Sequence, residues 1–74
     1  MTVFISESGK WKIEEYQSNF ILDCGIKRYC LSVYNDAAWE TYQDEMKFND
    51  ALRFLFNKQY ISADEYSTNL KISR

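Results

Sequence analysis

The 74-residue chain has no histidine, no proline, two glycines and two cysteines. Each shortage excludes something. Without histidine there is no Ser–His–Asp or Cys–His pair, and the commonest metal ligand is missing. Gly9 and Gly25 alone cannot build a glycine-rich phosphate loop. Cys24 and Cys30, spaced C-x5-C, make neither a disulfide framework nor a zinc or redox motif. Two reduced thiols are expected, and with them an intracellular, cytoplasmic location. No apolar run approaches the roughly 20 residues of a membrane span. The start Met1-Thr2-Val3-Phe4-Ile5 has no basic region or cleavage site of an export signal. Nothing reads as a linker or a repeat, so one domain over 1–74 is expected.

What is abundant is aromatic. Two Trp, six Tyr and five Phe make 18% of the chain, which gives a short sequence large buried areas per ordered residue. The formal net charge is −2, which argues against a protein devoted to holding nucleic acid. The charge is uneven. Over residues 36–50 the acids Asp36, Glu40, Asp44, Glu45 and Asp50 face only Lys47, a local balance of −4. Such a run serves as a solvated surface or as a docking surface for a basic partner.

Hydrophobic spacing divides the chain into strands up to about residue 43 and helices from Phe48 onward. Strands are expected at 2–6, 10–15, 20–24 and 28–34, with turns at Glu7-Ser8-Gly9, Gln17-Ser18-Asn19 and Gly25. Alternation puts Trp11 and Ile13 on one face, joined by Phe20 and Leu22 and by Tyr29, Leu31 and Val33. Consecutive hairpins would pair Ile13 with Leu22, Trp11 with Cys24 and Leu22 with Tyr29, and would set Asp23 opposite Arg28 and Ile21 opposite Cys30. Asn35-Asp36-Ala37-Ala38 reads as a hairpin loop before a strand at 39–43. The alternative is a helix capped by Asp36 with Trp39, Tyr42 and Met46 on one side. Trp, Thr and Tyr favour the strand.

A helix is expected at 49–57, burying Phe48, Ala51, Leu52 and Leu55, capped by Asn49 or its predecessor and closed by Asn57 in the left-handed conformation. A second, at 63–70, opens on a capping box, Ser62-Ala63-Asp64-Glu65, with Ile61 and Tyr66 as a hydrophobic staple. Phe54 falls opposite the first helix's apolar stripe. The second helix covers it, or it marks a self-association face. Assembled, the expectation is an α+β fold: an antiparallel meander of four to five short strands with two C-terminal helices packed on one face.

Paired carboxylates (Glu14-Glu15, Asp44-Glu45, Asp64-Glu65) diverge on any regular element and read as solvated charge. No catalytic, cofactor-binding or metal-binding residue is expected, and the chain reads as a non-enzyme with no cofactor. The surplus rings are different. Tyr16 falls in a turn, Tyr34 points to the wet face, and one of Trp39 and Tyr42 must point outward. Such rings roof a small core with their polar tips in water, or they anchor a protein interface. The second use makes Tyr34, Asp36, Trp39, Glu40, Tyr42, Asp44 and Glu45 the candidate partner-binding surface. Lys10, Lys12, Lys27 and Arg28 form a modest basic group on the wet face.

In layout, a meander at 10–34, an acidic aromatic stretch at 39–45 and a closing Phe48-Asn49-Asp50-Ala51-Leu52 helix, the chain resembles small phage-encoded proteins of the anti-CRISPR and anti-defence inhibitor type. The resemblance implies a stoichiometric inhibitor acting in the bacterial host cytoplasm on a basic or nucleic-acid-binding host protein. In some of those families it acts by imitating DNA charge, and the net charge of −2 falls short of the strongly acidic mimics. No functional residue carries over from it. Two other functions fit the composition: a homodimeric structural or assembly module, and a small nucleic-acid-binding module using the basic group. No membrane partner is expected.

Overall fold

The computed structural model describes residues 1–17 and 27–70. In chain order these form strands β1 (Thr2–Ile5), β2 (Trp11–Gln17), β3 (Lys27–Asn35) and β4 (Ala38–Met46), then helices α1 (Phe48–Asn57) and α2 (Ala63–Asn69). The sheet is antiparallel, in the order β1-β2-β3-β4. This is the expected α+β meander followed by two helices. None of the described helices is long and apolar enough to cross a membrane.

One pairing differs from the expectation. Ile13 lies opposite Leu31 and Trp11 opposite Val33, so β2 sits between β1 and β3 rather than against a strand at 20–24. Arg28 accordingly faces Tyr16, and Cys30 faces Glu14. Phe20, Leu22 and Cys24 lie outside the described residues. The reason is that alternation constrains which face a residue takes but not which strand it meets. Leu31 and Val33 satisfy Ile13 and Trp11 as well as Leu22 and Cys24 would. The shared face survives: Trp11, Ile13, Tyr29 and Leu31 are buried with Phe4, Phe48, Ala51, Leu52, Leu55 and Ile61, and Val33 packs beside them.

The turn between β1 and β2 is held by Ser6. Its N–H donates to the Trp11 carbonyl (2.9 Å), its hydroxyl accepts from the Trp11 N–H (3.1 Å), and its carbonyl accepts from Gly9 (2.9 Å). Gly9 takes φ +75°, a region open to glycine without steric cost.

α1 buries the expected stripe, with different caps. Its N-cap is Lys47, which makes no side-chain capping bond, while Asp50 in the first turn complements the helix dipole. At the other end Asn57 stays helical and Gln59 takes the left-handed turn (φ +63°). The Gln59 N–H donates to the Phe56 carbonyl (3.0 Å) and the Tyr60 N–H to the Leu55 carbonyl (2.9 Å). These are the paired bonds of a Schellman motif, which folds the next residue back toward the helix. α2 opens on the expected capping box: the Glu65 N–H donates to the Ser62 hydroxyl and the Ser62 N–H to the Glu65 carboxylate, each at 3.1 Å. The other carboxylate oxygen of Glu65 accepts from the Glu7 N–H at 2.8 Å, tying α2 to the first turn of the sheet.

Candidate functional site

The residues that position the candidate surface are those of the β3–β4 hairpin. Asp36 (φ +49°) and Ala37 (φ +65°) form its two-residue loop, both left-handed, the geometry whose twist matches that of the flanking strands. β4 is an edge strand: β3 flanks it on one side and no described strand flanks it on the other. It is exposed along its length apart from Met46, which is half-buried.

β4 carries one extra residue in each of two places. Leu31 faces Gln43 while Ser32 faces Thr41, and Tyr29 faces Met46. The extra residues fall at Tyr42 and in the Asp44-Glu45 step, where Glu45 takes φ +56°. Bulges of this kind re-aim side chains. Tyr42 turns to the helix-bearing side and Met46 returns to the core.

The seven candidate residues therefore lie on one hairpin but on two faces. On the outer face the Trp39 ring meets Tyr34 edge-on (5.2 Å between centroids), and the Lys12 ammonium lies 4.4 Å from its centroid. Lys12 also pairs with Glu14 at 3.4 Å. Further along that face Asp44 accepts the Tyr16 hydroxyl at 2.5 Å and its own neighbour's N–H, that of Glu45, at 2.8 Å. The Asp44 carboxylate holds the Tyr16 phenol above its ordinary pKa of 10.0, chiefly because the hydrogen bond favours the protonated form. Tyr16 thus belongs to β2, not to a turn. The Cys30 thiol lies 3.7 Å from the Ser32 and Thr41 hydroxyls.

On the helix-bearing side Glu40, opposite Val33, and Tyr42 border an open cleft of about 420 Å³. Trp11 is its floor, only 6% exposed. Tyr60, delivered by the Schellman turn, stacks on Trp11 (4.8 Å, 16°), and Tyr42 meets it edge-on (5.4 Å, 74°). Phe54 packs against Trp11, Tyr42 and Tyr60 at 6.3, 5.2 and 6.4 Å. Phe54 is half-buried, and its ring contacts come from the sheet side and Tyr60. α2 instead covers Phe56, through a 4.6 Å stack with Tyr66. The rim is polar: Lys10, Asn35, Glu40 and Thr41.

Tyr60 and Lys10 were not anticipated as neighbours of β4, and Trp11 was expected only in the core. Tyr60 had a signal, being an aromatic residue just beyond a helix end, but which residue closes a helix left-handed is weakly encoded when glycine is absent. Among the described residues no group of three or more His, Cys, Asp or Glu is placed to hold a metal ion. The fold and the cleft together define a two-layer α+β protein with an aromatic recess beside an acidic edge strand. No protein-family profile, curated protein or solved structure matches the chain.

Proposed function

We propose that the protein is a non-enzymatic interaction protein that binds a basic protein partner through the β3–β4 hairpin. The observation that carries this is β4 itself. An edge strand exposed over nearly its whole length presents Trp39 and Tyr42, 37% and 53% exposed, together with the carboxylates of Glu40, Asp44 and Glu45 and the hairpin's Asp36. Rings supply buried area at an interface, and flanking carboxylates steer a cationic surface toward it. The layout resemblance extends the proposal to an inhibitor of a bacterial defence or nucleic-acid-processing complex, working in the host cytoplasm.

The two bulges weigh against a homodimer built by pairing β4 with itself, because they interrupt the ladder a second copy would need. The engagement of Lys12 by Glu14 and by the Trp39 ring weighs against a basic face that tracks nucleic acid.

The test is a triple charge reversal, Glu40→Lys with Asp44→Lys and Glu45→Lys, in affinity capture from bacterial lysate with the captured proteins identified. A basic or nucleic-acid-binding protein retained by the wild type and lost by the variant is the expected result. The same protein should elute as salt rises, because exposed charges are screened. Unchanged capture by the variant would remove the hairpin from the interface.

A further inference from the structure

We propose that the cleft between β4 and Tyr60 receives the side chain of an arginine presented by that partner. The proposal rests on reading the hairpin as a surface for a basic protein, and it names the group that would anchor such a protein.

The cleft's lining selects among side chains. Its walls are aromatic: Tyr42 and Tyr60 are 53% and 46% exposed over a nearly buried Trp11. Ring faces carry partial negative charge and attract cations. The rim carries the Glu40 carboxylate and the polar residue Asn35. Glu40 makes no ion pair or side-chain hydrogen bond among the described residues. An apolar occupant would desolvate that carboxylate without pairing it. An anion would meet both the carboxylate and the ring faces. A flat guanidinium satisfies both sets of groups, lying against a ring while its N–H groups reach the rim. It is also more weakly hydrated than an ammonium, so it gives up less water on entry.

The chain already holds one cation in this manner on its other face, where the Lys12 ammonium lies over Trp39.

The experiment is an NMR titration of the isotope-labelled protein with acetyl-Gly-Arg-Gly-amide, repeated with lysine and with citrulline in the central position. Expected are saturable shifts at the Trp11 indole N–H and the Tyr42 and Tyr60 rings, with the arginine peptide bound most tightly. Citrulline keeps the shape and loses the charge, and should bind about tenfold more weakly. Glu40→Gln should weaken arginine binding about threefold or more. The substitution lies on an exposed position, and the unperturbed spectrum of the remaining residues verifies the fold. Linear, identical shifts with all three peptides, or shifts confined to Trp39 and Tyr34, overturn the proposal. If the titration fails while the triple charge reversal still abolishes capture, the hairpin binds its partner by surface charge alone. If the titration succeeds and the reversal has no effect on capture, the cleft is an arginine site that the captured partner does not use.

Discussion

Tyr16 and Asp44 show how a single contact changes the chemistry of a residue. The phenol donates to the carboxylate across the outer face of β3, and its pKa lies above 10.0 for that reason first, then through desolvation and the negative charge of Asp44. Because the folded-state value lies above the unfolded one, the bond's contribution to stability is complete below pH about 10 and is lost as pH rises through the folded value. Asp44→Asn should bring the Tyr16 phenol back toward 10.0. The check is ultraviolet titration of phenolate formation, with Tyr16→Phe subtracted to isolate this ring from the other five tyrosines. A Tyr16 signal that ionises at the same pH in wild type and variant would show that the carboxylate has no hold on it.

At the scale of elements, the β3–β4 loop is built from residues that do not favour its backbone. A two-residue loop with both φ angles positive is the preferred setting of Asp-Gly or Asn-Gly, and here the pair is Asp36-Ala37. An alanine in the left-handed region costs about 1–2 kcal/mol. Part of the gain from a glycine is offset by its greater freedom in the unfolded chain. Ala37→Gly should therefore raise stability by about 0.5–1 kcal/mol, read as a higher urea midpoint at unchanged slope. A lower midpoint would mean that the alanine side chain makes contacts outweighing its backbone strain. The same reasoning applies to the helices. α1 begins without a side-chain cap and relies on its buried stripe, whereas α2, seven residues long with no fully buried residue, depends on the Ser62–Glu65 box and on the Glu65 bond to Glu7.

For the whole molecule the margin is small. At about 0.05–0.15 kcal/mol per residue a chain of this size has about 4–11 kcal/mol of stability. Leu52 is fully buried between α1 and the sheet, and truncating such a leucine costs about 2–5 kcal/mol. Leu52→Ala should thus remove a large share of the total and lower the thermal midpoint sharply. A midpoint that hardly moves would mean that α1 is not what roofs the sheet. The outer face of the β3–β4 hairpin lies on the side of the sheet away from this core. Its rings on the outer face, Tyr34 and Trp39, support each other rather than α1, so Glu40→Lys, at a carboxylate without an ion pair among the described residues, should leave the urea midpoint nearly unchanged while weakening capture.

Local pattern alone settled a good deal. The α+β order, the apolar face of Trp11, Ile13, Tyr29 and Leu31, the buried stripe of α1 and the capping box of α2 all follow from spacing and short-range hydrogen bonding, which act within a few residues. The preference of Trp39, Thr41 and Tyr42 for a strand was legible in the same way. Tertiary structure decided what spacing leaves degenerate. It set Leu31 opposite Ile13, because two apolar segments with the same alternation in sequence satisfy the same face equally well. It divided the candidate surface between two faces, because a strand that sends Trp39 to the outer face sends Glu40 and Tyr42 to the other, and the extra residue at Tyr42 returns Asp44 to the outer face. It also brought Tyr60, Trp11 and Glu40 around one recess, from three segments whose meeting depends on how the end of α1 turns back over the sheet.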